Sequence, residues 1–145
     1  MRWTCVLLVL LASLGCQTKQ LYPGPVRPSE EVAILERGSG RAIVQFTSID
    51  GVEVKGSGFH VLPGGHHIEV TVRVQITLSG GVAQRIWTRI PCTADFVAEA
   101  GKTYFVRGDL VDVSRGSLHR SLVPELWVAD RKAPQFNIAT HRCHP

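Results

Sequence analysis

The chain has 145 residues, 44% of them hydrophobic, and its 16 Lys and Arg residues outnumber its 12 Asp and Glu residues. This length suits one ordinary domain with a single modest core, and it argues against two independent domains. The basic excess is small and scattered, without a basic run or an aromatic ladder beside one, so nucleic acid is not an expected partner.

The first fifteen residues have the pattern of a secretion signal peptide. Arg2 supplies a positive start, residues 5–14 form an uncharged stretch of ten residues, and Ser13 and Gly15 are small residues next to the expected cleavage site. A membrane-spanning helix needs about twenty apolar residues, so the stretch is too short to be one. The pattern predicts an exported protein that is cut before Cys16, with residues 1–15 removed.

The cleavage junction resembles the lipobox of bacterial lipoproteins, in which a small residue precedes the cysteine that receives diacylglycerol. Gly15-Cys16 carries the resemblance, whereas Ser13 stands where the family most often has leucine. The resemblance implies lipid on Cys16, which anchors the chain in a membrane. Gln17 is not the aspartate associated with inner-membrane retention, which favours the outer membrane, with the domain facing the periplasm or the cell surface. Ordinary cleavage that leaves Cys16 free is the alternative.

Two cysteines remain when Cys5 is removed with the leader and Cys16 is lipidated. Cys92 and Cys143 form an even pair in an oxidising compartment, which predicts a disulfide bond. It would close a loop of about fifty residues and stabilise the fold by about 4 kcal/mol. Two unpaired thiols remain the alternative, because spacing alone does not show that the cysteines come within bonding reach.

The segment after the cleavage site changes character at residue 29. Residues 16–28 contain four Pro and Gly residues, which predicts a lipidated, extended tether. Ser29 is a capping residue followed by two acids and an apolar run, so residues 29–35 are predicted to form one short helix.

The rest of the chain, from Arg41 onward, has the pattern of short strands separated by turns. Residues 68–78 alternate apolar and polar side chains, and Asp50-Gly51 is a strong turn signal. The predicted strands are residues 42–49, 59–62, 68–78, 82–90, 94–98, 103–113, 126–129 and 136–140. Because no crossover helices separate them, the chain is predicted to be all-β, with residues 29–145 forming a small antiparallel β-sandwich.

Several short motifs between residues 20 and 130 occur together in a known pattern. They are Leu21-Tyr22-Pro23-Gly24-Pro25, Glu31-Val32-Ala33, Ile49-Asp50-Gly51, Leu62-Pro63-Gly64-Gly65-His66, the run from Phe96 to Tyr104, and Trp127-Val128. Together they resemble a family of bacterial lipoproteins with a PEGA-like β-sandwich domain. The resemblance implies the fold and attachment to the cell envelope, and it brings no catalytic residues.

Motifs of catalysis are incomplete in this sequence. Gly101-Lys102-Thr103 imitates the end of a phosphate-binding loop, but Phe96 stands where that loop needs its first glycine. The two Gly-Ser-Gly tripeptides lack the spacing of a nucleophile elbow, and no pair of carboxylates has the pattern of an acid–base dyad. The chain is therefore expected to have no catalytic residues and no cofactor.

Two expectations about function remain, and the histidines separate them. The leading one is a non-catalytic, membrane-anchored lipoprotein of the cell envelope that acts as a structural or protein-binding module, with an envelope protein as partner. The alternative is a periplasmic lipoprotein that binds zinc or copper, since neutral imidazole is a common metal ligand. Its candidate ligands are His60, His66, His141 and His144.

Overall fold

The computed structural model describes residues 18–78, 84–112 and 122–143, and in these ranges the secondary structure consists of strands. The ten strands are β1 (Lys19–Gln20), β2 (Ala33–Arg37), β3 (Ile43–Ile49), β4 (Val52–Glu53), β5 (Gly58–Val61), β6 (Gly64–Leu78), β7 (Gln84–Ala98), β8 (Thr103–Asp112), β9 (Leu122–Asp130) and β10 (Thr140–Cys143). The prediction of an all-β fold is confirmed.

The strands form two five-stranded sheets that share one buried core. The first, called here the β8 sheet, has the order β1-β5-β2-β8-β9, and the second, the β6 sheet, has the order β10-β7-β6-β3-β4. Neighbouring strands are antiparallel except β1 with β5 and β2 with β8, which run parallel. Parallel neighbours require a crossover connection, and here the chain between β2 and β8 passes through the other sheet and back.

The longest element is the hairpin of β6 and β7, which are paired over fifteen residues each. Val70, Val72 and Val74 are buried, as the alternating sequence predicts. The predicted end of a strand at Pro91 was wrong, because β7 continues through it. β10 pairs with β7 only from Asp95 to Cys92. At Pro91, the residue before Cys92, that side of β7 has no partner strand in the described ranges, and strand edges tolerate proline.

The helix predicted for residues 29–35 is replaced by a turn and a strand. The backbone N–H of Glu31 donates to the carbonyl of Pro28 (3.0 Å), and β2 begins two residues later. In β2, Ala33 and Leu35 are fully buried while the residues between and after them are more exposed, a period of two. Pairing with β5 on one side and β8 on the other supplies backbone partners to both edges of β2, which outweighs the local helix signals.

The predicted tether of residues 16–28 also differs from the structure, because the chain already belongs to the folded domain at Lys19. Lys19–Gln20 forms β1, and the N–H of Leu21 donates to the carbonyl of His60 (3.0 Å). Leu21 packs against the core, and Tyr22 is only 7% exposed. The folded domain therefore already includes Lys19, ten residues before the predicted boundary.

The segment predicted as a strand at residues 136–140 instead runs along the free edge of β9. The side-chain oxygen of Asn137 accepts from the N–H of Val128 (3.1 Å), and its amide donates to the carbonyl of Leu126 (3.1 Å). These bonds occupy backbone groups that an exposed edge strand would offer to another chain. The last strand, β10, begins only at Thr140.

The structure contains the disulfide bond predicted between Cys92 and Cys143. The two residues are cross-strand partners on β7 and β10, with their Cα atoms 4.0 Å apart and 51 positions apart in the sequence. Closing a loop of that length stabilises the folded chain by about 4 kcal/mol. The bond fixes β10 to the edge of the β6 sheet.

The two sheets lie very close together at Gly108 of β8. A Cβ atom at this position would lie 2.9 Å from Cγ1 of Val72 and 3.1 Å from Cβ of Ala42, both in or beside the β6 sheet. Ala42 forms an isolated antiparallel bridge to Gly108. Glycine is therefore required here by the distance between the sheets.

Replacing Gly108 by valine is expected to lower the free energy of unfolding by about 1–3 kcal/mol, because the new side chain overpacks the core. Gly65→Val is the matched control, since nothing lies within 4 Å of a Cβ atom there, and its effect should stay within about 0.5 kcal/mol. Urea denaturation of both variants measures the difference, and equal losses would contradict a close contact at Gly108.

Candidate functional site

The Asp50-Gly51 turn, at one end of the β6 sheet, places the carboxylate of Asp50 beside the start of β6. Asp50 and Gly51 connect β3 to β4 and both have positive φ, at 51° and 77°. A two-residue hairpin loop of this kind needs residues that tolerate the left-handed region, and Asp-Gly is a preferred pair. Oδ1 of Asp50 accepts from the N–H of His67 (2.8 Å).

His66 uses both of its ring nitrogens within the protein. Nδ1 lies 2.6 Å from Oδ2 of Asp50, and Nε2 lies 2.6 Å from the carbonyl oxygen of Leu62. Both neighbours are oxygen atoms of the protein, so both ring nitrogens of His66 are already engaged within the domain. The side chain is only 9% exposed and lies beside the ring of Phe96. A metal ion would have to displace one of these two contacts to reach the ring.

His67, the next residue, belongs to a more exposed pair. Its Nδ1 lies 2.7 Å from Oδ1 of Asp95, which is its cross-strand partner on β7. The two side chains are 45% and 69% exposed. We call the four side chains of Asp50, His66, His67 and Asp95 the histidine–aspartate corner.

The histidine–aspartate corner lines an open depression of about 710 Å³. Glu99 lines the same depression and forms an ion pair with Lys102 (Oε2 to Nζ, 2.9 Å), which also reaches Asp130 (3.4 Å). The hydrogen bond to Glu99, more than any other contact, raises the pKa of Lys102 above its ordinary value. These contacts hold the turn between β7 and β8 against the end of β9.

The candidate metal ligands are not brought together. His60 lies in β5 of the β8 sheet, opposite Ile34, whereas His141 lies in β10 at the far edge of the β6 sheet, opposite Ala94. His66 is committed to Asp50 and Leu62, and His144 lies outside the described residues. Within residues 18–78, 84–112 and 122–143, no group of three His, Cys, Asp or Glu side chains is placed to hold a metal ion.

The outer face of β8 and β9 carries a second cluster, which the sequence analysis did not identify. The guanidinium of Arg107 lies 4.9 Å from the ring centre of Trp127, its cross-strand partner, and that of Arg131 lies 5.5 Å from the ring centre of Phe105. We call these four residues the arginine–aromatic face. The alternation of side chains along a strand was the available signal: Tyr104 and Val106 are buried, so their odd-numbered neighbours point outward.

A small pocket of about 270 Å³ opens on the arginine–aromatic face. Its lining consists of Gly38, Ser39, Phe105, Arg107, Ala129 and Pro134. Nη2 of Arg107 donates to the carbonyl of Pro134 (3.3 Å), which fixes the guanidinium at the rim. The volume is below the 300–1,000 Å³ typical of small-molecule sites, so it suits a single side chain of a protein partner better than a free ligand.

The remaining residues of the predicted sites lie outside the described part of the chain. Cys16 and the signal-peptide residues 1–15 are among them. In the described part, no helix is long and apolar enough to cross a membrane.

Comparison of the chain with protein-family models, with curated proteins and with solved structures finds no match in any of the three. The resemblance to lipoproteins with a PEGA-like domain therefore rests on the sequence motifs alone.

The role of Asp50 can be tested by two substitutions at the same position. Asp50→Ala leaves the ring of His66 and the N–H of His67 without their acceptor and places alanine in the left-handed region, so we expect a loss of about 1–3 kcal/mol in unfolding free energy. Asp50→Asn keeps an acceptor oxygen and tolerates the turn, so it should lose less. Urea denaturation of both variants measures this order, and equal losses would argue against the hydrogen bonds.

Proposed function

We propose that the mature chain is a non-catalytic lipoprotein of the bacterial cell envelope, anchored in the outer membrane through Cys16, whose folded domain binds an envelope protein through the arginine–aromatic face. The observation that carries the binding role is the pair of arginines stacked on half-buried aromatic rings, together with a small pocket that Phe105 and Arg107 help to line. Trp and Arg are the residue types that most often dominate the energy of protein interfaces.

The arginine–aromatic face is also preorganised for binding. Arg107 is held between the ring of Trp127 and the carbonyl of Pro134, so its side chain has few conformations left to lose when a partner docks. Ordering a long side chain otherwise costs about 0.5–1.5 kcal/mol at an interface. Phe136, two residues after Pro134, is 62% exposed and adds apolar surface in the adjoining segment.

Export of the chain is supported by two independent features. The leader and the lipobox-like junction precede Cys16, and the two cysteines left in the mature chain form a disulfide bond. Disulfide bonds form and persist in oxidising compartments and are rare in the cytosol. A protein translocated to the periplasm would be lipidated at the membrane and oxidised after crossing it, so translocation accounts for both features.

The anchor is tested by Cys16→Ser. We expect this variant to remain an uncleaved precursor or to be released as soluble protein, because the acceptor of the lipid is missing. Fractionation of cells and the mass of the N-terminal peptide measure the outcome. Cys5→Ser is the control, since that cysteine leaves with the leader and its loss should change neither property. Unchanged, membrane-resident mature protein after Cys16→Ser would refute the anchor.

The binding face is tested by crosslinking in the native envelope. A photoreactive amino acid at position 39, on the rim of the pocket, should form an adduct with one partner, whereas the same probe at the exposed Val97 of the other sheet should not. Trp127→Ala should weaken binding of the purified partner by about thirtyfold, the size of a typical hot-spot loss of about 2 kcal/mol.

Thermal unfolding of the Trp127→Ala variant controls for the fold in that experiment. Adducts that form equally at positions 39 and 97, or binding that Trp127→Ala leaves unchanged in a folded protein, would contradict the proposed face.

A further inference from the structure

The distance between Cys16 and the folded domain is very short. Lys19 is already paired with Phe59 in β1, so only Gln17 and Thr18 intervene. An extended chain advances at most about 3.6 Å per residue, which limits the Cα atoms of Cys16 and Lys19 to a separation of about 11 Å. A lipid on Cys16 would therefore hold β1 close to the membrane surface.

β1 and the residues that follow it are held to the domain by several contacts, so they do not detach and lengthen the tether. Leu21 is bonded to His60 and packs on the core, and the buried Tyr22 receives a hydrogen bond from the N–H of Arg27 on its hydroxyl (3.1 Å). The side chain of Gln20 donates to the carbonyls of Tyr22 and Gly24, each at 2.8 Å. Releasing β1 would break these bonds and expose apolar surface.

The edge strand β1 lies on the same narrow side of the domain as β4. β1 ends the β8 sheet and β4 ends the β6 sheet, and the connection of four residues from β4 leads directly to β5, the neighbour of β1. β9 and β10 lie together at the opposite side. We call the first of these the β1–β4 side.

The exposed residues of the β1–β4 side suit a lipid surface. Lys19 and Lys55 are exposed, and within the described ranges neither forms an ion pair. Glu53, an exposed acidic residue of β4, precedes Lys55 by two residues. Val52 is 56% exposed. Ammonium groups near a membrane are attracted to anionic lipid phosphates, and the contact would cover two edge strands that otherwise face solvent.

We infer that the anchored domain lies with its β1–β4 side against the membrane, with Lys19 and Lys55 on lipid phosphates, an inference that rests on the proposed lipidation of Cys16. The arginine–aromatic face on β8 and β9 is then raised above the bilayer. Three strand spacings of about 4.8 Å separate β1 from β8 and four separate it from β9, so that face stands roughly 14–19 Å from the anchored edge. A partner could reach it without entering the headgroup region.

Energy transfer to the membrane tests this orientation. The mature lipidated protein is placed in vesicles of phosphatidylethanolamine and phosphatidylglycerol with an acceptor dye on the headgroups, and a fluorescent amino acid is incorporated at position 57 or at position 132. Ser57 lies beside β1, whereas Lys132 follows β9 at the opposite side. We expect stronger transfer from position 57 than from position 132.

Two variants show whether the short tether and the lysines cause the difference. A flexible insertion of about ten residues after Gln17 has a reach of roughly 18 Å. It should reduce the difference in energy transfer between positions 57 and 132 while the protein stays on the vesicles. Lys19→Gln with Lys55→Gln should reduce transfer from position 57 on these vesicles but not on vesicles without phosphatidylglycerol. Arg142→Gln, an exposed charge on β10, is the matched control.

The result separates this inference from the proposed function. A mature protein without lipid on Cys16 would refute the anchor, and the orientation is then tested by coupling a maleimide lipid to Cys16 of the soluble domain. Equal transfer from positions 57 and 132, in either form, would overturn the orientation while leaving the anchor intact. Unequal transfer that the double lysine variant does not change would overturn the contact with phosphates.

Discussion

The antiparallel pairing of β6 with β7 is the interaction on which the rest of the structure depends. β3 adds to one side of this hairpin and β10 to the other, where the disulfide bond of Cys92 and Cys143 holds it. The inner face of the hairpin supplies Val72, which meets Gly108 of the opposite sheet. Its first residues carry His66 and His67, so the same backbone pairing that builds the core also positions the histidine–aspartate corner.

The arginine–aromatic face follows from the alternation of side chains along β8 and β9. In β8, Tyr104 and Val106 fill the core, which leaves Phe105 and Arg107 on the outer face. Antiparallel pairing then puts Trp127 directly across from Arg107, a distance at which cation and ring attract each other. The arginine–aromatic face is therefore a consequence of register: a shift of one residue would bury the charges and expose the core.

The histidines show where reasoning from residue types stops. His60, His66 and His141 have suitable chemistry for a metal, but the sequence does not show which other side chains or backbone groups will contact them in the fold. The Asp50-Gly51 turn brings a carboxylate to His66 that competes with any ion for the ring, while the other two histidines lie on different sheets. The turn could be predicted from the dipeptide Asp50-Gly51. Its contact with His66, sixteen residues later in the sequence, depends on the pairing of β3 with β6.

The sequence by itself determined the features that a local pattern specifies: the alternating strands, the Asp50-Gly51 turn and the all-β class of the fold. It also predicted the disulfide bond, because the expected leader and lipidation site leave Cys92 and Cys143 as an even pair in a chain expected to be exported. Only the tertiary structure decided that residues 33–37 form a strand, that Lys19 already belongs to a sheet and that β2 runs parallel to β8. These segments are short, and their backbone groups are satisfied by strands remote in sequence, so no local pattern contains the information.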